Sequence, residues 1–339
     1  MADWSFVLSG TPPAGTSFLE LTGASARRLV WRVDDPATAD FSLDGNSAEA
    51  AAIAELATDL ICYRDGTKLF RGRIGPLEDD IAEDDYRLDL SAIDYRGMLD
   101  NRIVGVSGES FTAVDQGTIA WNLIQTTQAQ SGGNWGITNG IGPTSGTTRD
   151  RTYDPGKPRG EAIAELGRVD GGFEWEIDAD LALNRWYPTR GTVTGVRLDH
   201  GGLLSRVRRS LGQRTFANAT MAIGAEGLTP VMSTTAGIGT DPKGRWEMSR
   251  GYTSIKEQAT LSGRSTWMLG QTSTIRPDFV VKFRPNGWSG PDHVWIGDTV
   301  TLVVNTGRLT VNAAHRVVEL AIELDEDGTE TVSAGLVAA

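Results

Sequence analysis

The chain has 339 residues, with 32 basic against 44 acidic side chains and a formal net charge of −12 at pH 7. This length exceeds what one hydrophobic core usually covers and predicts two or three domains, while the acidic excess argues against tightly bound nucleic acid. The chain lacks a run of about 18 apolar residues and an N-terminal signal pattern, so we expect a protein made in the cytoplasm without membrane insertion.

The first hundred residues alternate short apolar runs with turns, a pattern typical of a β-rich domain. It predicts strands over 4–8, 18–21, 28–33 and 40–44, and a helix of one or two turns over 48–56. The dipeptide Asp65-Gly66 predicts a hairpin between strands over 60–64 and 68–74. We expect Gly75-Pro76 to break or bulge the second strand, and an acidic turn over 78–85 to lead into a return strand over 86–92.

Three motifs of this region resemble the tail-hub, or baseplate-hub-like, class of minor tail proteins from long-tailed bacteriophages (siphoviruses). They are Tyr63-Arg64-Asp65-Gly66, Phe70-Arg71-Gly72-Arg73-Ile74 and Asp94-Tyr95-Arg96-Gly97-Met98-Leu99. The resemblance implies a mainly β fold with two tail-tube-like β-barrel domains and a smaller helix-and-hairpin insertion. It also implies that three chains present six barrels, which would match a six-fold tail tube to a three-fold tip.

The middle of the chain changes pattern. Apolar residues at helical spacing predict a helix over 115–130, and Pro158 begins a second one that Gly171-Gly172 stops. Between these helices, residues 131–160 are rich in Gly, Pro, Ser and Thr, and we expect a long exposed loop or arm. A hairpin over 173–187 follows, and helix plus hairpin resemble the inserted α/β domain of phage hubs.

The second half returns to strands and turns. An alternating run falls within 214–225, an irregular or helical excursion is expected over about 226–275, and a final meander covers 299–304, 316–324 and 330–336. Arg316-Val317 repeats Arg73-Ile74, because each starts a strand that returns across carboxylates. We therefore expect a first barrel domain over 1–106, an insertion domain over 107–190 and a second barrel domain over 191–339.

The charged residues most open to a functional role form two acidic groups. They are Glu78, Asp79, Asp80, Glu83, Asp84 and Asp85 in the first hairpin, and Asp325, Glu326 and Asp327 in the last. A calcium loop of the EF-hand kind needs alternating oxygens around a central glycine, which is absent. Against the simple alternative of solvated hairpin tips, our hypothesis is that these carboxylates line a channel and keep passing DNA from binding.

Contacts between subunits are the predicted role of several other residues. They are Arg206, Arg208 and Arg209, the one compact basic group, and Trp135, Arg149, Arg151 and Tyr153 of the 131–160 segment. Exposed tryptophans among Trp135, Trp267, Trp288 and Trp295 would suit sugar stacking, although burial in barrels or interfaces is the commoner use.

Enzymatic chemistry has no local support in the sequence. His200, His293 and His315 are far apart and lack zinc-ligand spacing, and Cys62 has apolar neighbours typical of core packing. A nucleophile elbow, a Walker loop and a dinucleotide fingerprint are absent, so we expect no catalytic residue, metal or cofactor.

These observations lead to one interpretation with two alternatives. We expect a homotrimeric hub at the virion tail tip, made in the host bacterial cytoplasm, that contacts a distal tail protein, the tape-measure protein and other tip proteins. Genomic DNA would pass through it during ejection without tight binding. The alternatives are a six-fold distal tail ring protein and a carbohydrate-binding tip protein that contacts the host cell wall.

Overall fold

The computed structural model describes residues 2–10, 18–83, 85–169, 171–211, 216–252, 257–274 and 277–339. Two compact units divide the chain: the first extends to Arg206 and resumes from Val281 to Val337, and the second covers Val207–Val280. None of the described helices is long and apolar enough to cross a membrane.

The N-terminal part of the first unit is an antiparallel sheet. Its elements are β1 (Trp4–Gly10), β2 (Phe18–Glu20), β3 (Ser25–Arg32), β4 (Thr38–Asp44), α1 (Ala48–Ala51), β5 (Thr58–Arg64), β6 (Thr67–Ile81), β7 (Tyr86–Asp94), α2 (Tyr95–Met98) and a 3-10 turn at Leu99–Asn101. The strand order is β3-β4-β7-β6-β5-β1-β2. Positive φ at Asp65 (49°) and Gly66 (76°) confirms the predicted hairpin, and a register shift between Ile74 and Leu77 confirms the bulge.

The acidic segment after this bulge differs from the prediction. Glu78, Asp79 and Asp80 belong to β6 and pair with β7, so the expected turn over 78–85 is wrong for its first half. Each of these three carboxylates is exposed and lies opposite a β7 residue, namely Asp89, Leu88 and Arg87. Asp and Glu have low strand propensity, so the sequence did not predict a strand here. The segment is a strand because it pairs with the long strand β7. Asp84 lies outside the described residues.

A helix-and-hairpin insertion follows. Its elements are β8 (Glu109–Asp115), α3 (Gln116–Gln128), β9 (Thr138–Asn139), β10 (Thr148–Tyr153), α4 (Arg159–Gly167), β11 (Glu174–Ile177) and β12 (Ala182–Trp186). Asp115 caps α3 by accepting hydrogen bonds from the Gly117 and Thr118 N–H groups. Buried side chains of α3, α4 and the β11–β12 hairpin form one core with Tyr95 and Leu99, which attaches the insertion to the sheet.

The predicted exposed arm over 131–160 is wrong. The segment contains β9, which runs parallel to β12, and β10, which is antiparallel to β8, and the side chains of Trp135, Ile137 and Tyr153 are buried. The Gly, Pro, Ser and Thr content of the segment predicted a loop, although these few apolar side chains are buried. The partner β8 has a largely exposed face and shows no apolar alternation, so no local pattern predicts the β8–β10 pair.

The remaining sheet strands come from the second half of the chain. They are β13 (Val193–Asp199), β14 (Leu204–Ser210), β18 (Asp278–Phe283), β19 (Thr299–Thr306), β20 (Leu309–Leu324) and β21 (Glu330–Ala338). Their order is β14-β18-β21-β20-β19-β13, and β20 also pairs with β3, so all these strands and those of the N-terminal part form one 13-stranded sheet. The expectation of a mainly β fold with a small α/β insertion is therefore confirmed.

The second unit contains a small sheet with one helix. Its elements are β15 (Ala219–Ile223), β16 (Val231–Thr234), β17 (Glu247–Gly251) and α5 (Gln258–Thr272), with β15 in the centre of the sheet. Leu261 and Met268 of α5 are buried, and the Thr220 hydroxyl donates to the Ser265 carbonyl. The excursion expected over 226–275 is thus an ordered α/β layer where it is described.

Candidate assembly interface

Two sheet segments repeat each other in strand order. The first module, β3-β4-β7-β6-β5-β1, and the second module, β14-β18-β21-β20-β19-β13, have corresponding strands in corresponding places. The pairing of the last strand differs, because β1 is antiparallel to β5 whereas β13 is parallel to β19. In each module a strand of 15 or 16 residues, β6 or β20, pairs through its first half with the preceding strand. The predicted echo between Arg73 and Arg316 falls on these long strands.

The outer half of β6 is one open edge. Residues from Leu77 to Ile81 pair with β7 on one side, and within the described residues no strand pairs with them on the other. The side chains of Glu78, Asp79 and Asp80 are exposed there. The Tyr86 hydroxyl donates a hydrogen bond to Asp79, and this bond raises the pKa of Tyr86. The edge is therefore acidic and accessible.

Strand β14 is the other open edge. It is the last strand in the sheet order, and in the described part of the chain β18 is the only strand that pairs with it. The predicted contact residues Arg206, Arg208 and Arg209 lie on it with exposed side chains. None of the three has a carboxylate within ion-pair distance among the described residues. This edge is therefore basic.

The two acidic hairpin tips leave the sheet at the same end. From β20 to β6 the path crosses four antiparallel pairs, through β3, β4 and β7, so β20 and β6 run in the same direction. Glu83 and Asp85 are exposed at the β6–β7 tip, and Asp325, Glu326 and Asp327 are exposed at the β20–β21 tip. Arg27 donates a hydrogen bond of 2.7 Å to the Asp325 carbonyl, which holds the second tip against β3.

The predicted contact residues of the 131–160 segment lie apart from these edges. Trp135 and Tyr153 belong to the insertion core, and the Arg102 guanidinium lies 4.0 Å above the Trp135 ring. Arg149 is half-buried and its Nε donates to Gln116 Oε1 at 3.2 Å. Arg151 is also half-buried, on β10. The structure leaves their role in subunit contacts a prediction and places the two aromatic rings inside the chain.

The tryptophans considered for sugar stacking are mostly enclosed. Trp288 and Trp135 are buried, and Trp295 packs 5.0 Å from the ring of Trp31 beside a cavity of about 240 Å³. Trp267, on α5, is 51% exposed. Of these four tryptophans, Trp267 is therefore the one that could offer an aromatic platform on the surface.

A buried charged cluster fixes the insertion to the sheet. The Asp94 carboxylate accepts hydrogen bonds from Ala37 N–H (2.8 Å) and Gly97 N–H (2.9 Å), and burial raises its pKa to about 7. Arg96 donates to the Trp175 carbonyl at 2.8 Å and lies 4.5 Å above the Trp175 ring. Burial lowers the pKa of Arg96. The start of α2 thus holds both the β3–β4 connection and the insertion.

Two further ion pairs join distant segments. Arg316 of β20 makes two hydrogen bonds, of 2.8 and 2.5 Å, to the Glu174 carboxylate of β11. Arg190 donates to Glu176 at 2.6 Å. Among the described residues there is no group of three or more His, Cys, Asp or Glu side chains that could hold a metal ion.

Comparison with solved structures shows the fold. The 43 kDa tail protein of prophage MuSo2 from Shewanella oneidensis has 15% identity and a TM-score of 0.71, covering 99% of this chain and 98% of that one. The tail protein from Neisseria meningitidis MC58 has 12% identity, a TM-score of 0.64 and coverages of 98% and 96%. Prophage tail protein gp18 from Listeria monocytogenes EGD-e has 10% identity, a TM-score of 0.58 and coverages of 98% and 94%.

At these identities the likeness shows the fold alone, over nearly the whole length of each chain. No protein-family model and no curated protein matches the sequence.

Proposed function

We propose that three copies of this chain form the hub of a siphovirus tail tip. The hub joins the six-fold tail tube and the distal tail ring to three-fold tip proteins, and encloses the end of the channel. The proposal is supported by the fold, which is that of phage tail proteins, and by the repeated strand order within one chain. No residue has a catalytic role in it.

The repeat is the observation that carries the proposal. A closed ring of six similar modules needs six copies of a one-module chain, but only three copies of a chain with two modules. The two modules here are of like strand order and are already joined side by side through β3 and β20. Three such chains can therefore offer six places to a six-fold tube and three to a three-fold tip.

The acidic hairpin tips would face the channel of this assembly. Glu83 and Asp85 at one tip and Asp325, Glu326 and Asp327 at the other are exposed at the same end of the sheet. A wall of like charge keeps a passing polyanion from binding, as transit of DNA requires. The tape-measure protein and the distal tail protein are the partners expected at this opening.

Mass measurement of the purified protein in native solution tests the proposal. We expect three copies at concentrations where the assembly is complete. Six copies would favour the distal tail ring, and a monomer at all concentrations would contradict both. Binding of the purified protein to cell-wall glycan, lost in a Trp267→Ala variant, would instead support a carbohydrate-binding tip protein.

A further inference from the structure

The joint between the two modules within one chain is an antiparallel strand pair with ion pairs across it. Residues Glu319–Leu324 of β20 pair antiparallel with Arg27–Arg32 of β3. Across this pair Arg32 Nε lies 2.8 Å from Glu319 and Arg28 Nε lies 3.4 Å from Glu323. The long strand thus contributes carboxylates, and the edge strand of the next module contributes arginines.

The first module has the same long strand without a neighbour. β6 ends eight residues after Arg73, as β20 ends eight residues after Arg316, so Asp80 corresponds to Glu323 in position and in charge. Glu78, two residues earlier, lies on the same face of β6 as Asp80. By the same count Glu78 corresponds to Ala321, so one of the two exposed carboxylates on this face of β6 lies at the position of a joint carboxylate of β20.

The second module has the same edge strand without a neighbour. β14 pairs with β18 as β3 pairs with β4, and its outer side is open within the described residues. Its exposed Arg206, Arg208 and Arg209 correspond in kind to Arg27, Arg28 and Arg32 of β3. The two open module edges therefore carry opposite charges, as the two sides of the β20–β3 joint within the chain do.

Side-chain exposure agrees with a missing neighbour at β6. Ile81 is 70% exposed, whereas Leu324, at the corresponding end of β20, is 4% exposed. An isolated charged edge is an ordinary protection against unwanted strand pairing. Protection alone does not require opposite signs on the two edges, nor an exposed isoleucine on the acidic one.

We infer that the outer half of β6 in one copy pairs antiparallel with β14 of a second copy, with Glu78 and Asp80 facing Arg206 and Arg208, which share one face of β14. This inference rests on the proposed trimer and names the strands that close it. Each copy contributes one acidic and one basic edge, so the contact is heterologous and three joints close a ring. The β6–β14 joint between copies then repeats the β20–β3 joint within a copy, and every β6 and β14 edge of the ring is paired.

Charge reversal on each side tests the inference. We expect Glu78→Arg with Asp80→Arg to abolish the trimer at a concentration where the wild type is fully trimeric, and Arg206→Glu with Arg208→Glu and Arg209→Glu to do the same. A chain with both sets of reversals should recover the trimer but should not mix with wild-type chains. The control is Arg308→Glu, in the exposed β19–β20 turn, which should leave the copy number unchanged.

Disulfide trapping provides a readout that does not depend on loss of assembly. Cys62 is the one cysteine of the chain and is buried, so new thiols can be read without background. Glu78→Cys combined with a cysteine at position 206, 208 or 209 should yield covalent dimers and trimers under mild oxidation in at least one combination. Asp327→Cys combined with the same partners should not.

The outcomes separate this inference from the proposed function. The strand joint would be overturned if both single-side reversal variants still formed the trimer. It would also be overturned if correctly folded chains with both sets of reversals stayed monomeric. In either case the hub proposal would stand. Six wild-type copies would overturn the hub proposal first. If a reversal variant unfolds by circular dichroism, the trapped species decide, and their absence in all three combinations counts against the joint.

Discussion

Asp94 shows how one side chain can fix two parts of the molecule. Its two carboxylate oxygens accept one N–H from the start of α2 and one from the end of the β3–β4 connection, and the group is fully buried. A neutral amide in its place could accept only one of these bonds well, because its second terminal atom is a donor. The identity of this residue is therefore set by two backbone contacts, one with Gly97 and one with Ala37, which lies 57 residues before Asp94 in the chain.

The pKa of Asp94 predicts a pH dependence of stability. Burial raises it from 3.8 to about 7, so between these values the folded chain holds the proton more tightly than the unfolded chain. The stabilisation from protonation is lost as the pH rises through about 7, and the free energy of unfolding should fall over that range. We expect Asp94→Asn to remove this part of the slope in denaturant unfolding between about pH 4 and about pH 7.

Asp35→Asn, which changes an exposed carboxylate nearby, is the control and should keep the wild-type slope. An Asp94→Asn variant whose stability changes with pH as the wild type does would show that Asp94 does not titrate in this range.

At the scale of elements, one buried carboxylate joins β5, β6 and α2. Asp59 of β5 accepts hydrogen bonds from Arg73 Nε at 2.7 Å, Arg71 Nε at 3.1 Å and the Tyr95 hydroxyl at 2.8 Å. Arg73 also donates to the Tyr95 hydroxyl, and burial raises the pKa of that hydroxyl. The network lies where β6 passes from its β5 partner to its β7 partner, so it stabilises the long strand at this change of partner.

Removal of this carboxylate should be costly. Asp59→Ala leaves the buried Arg73 guanidinium without its partner, and we expect a loss of about 3–5 kcal/mol in the free energy of unfolding. Asp180→Ala, which breaks the exposed ion pair with Lys68, should cost less than about 1 kcal/mol. Equal losses in the two variants, measured by denaturant unfolding, would contradict the network's structural role.

At the scale of the whole molecule, the role proposed for the acidic tips is in the passage of DNA rather than in assembly. We expect phage that carries Asp325→Asn, Glu326→Gln and Asp327→Asn to assemble normally and to deliver its genome more slowly, because DNA is no longer repelled from the wall. Tail morphology by electron microscopy and the rate of DNA release measure the two effects. Neutralising the exposed Glu55 and Glu226 is the control, and unchanged delivery in the tip variant would count against a channel-lining role.

Local chemistry made several parts of the fold predictable. Asp65-Gly66 needs positive φ and fixes the first hairpin, and the alternation at Leu88, Leu90 and Ala92 places β7 with one buried face. The helix around Leu123 follows from its 3.6-residue apolar spacing. The acidic and basic groups were also visible as candidates, since charge clusters can be read directly from the chain.

The sequence by itself determined the β-rich class, the main hairpins, the two helices of the insertion and the residues of both charged groups, because each depends on neighbours within a few positions. Only the tertiary structure decided that Glu78–Asp80 form a strand, that Trp135 and Tyr153 are buried, and that β20 pairs with β3. Those features depend on partners far away in the chain, and local periodicity does not indicate which distant strand will pair with the edge of a sheet.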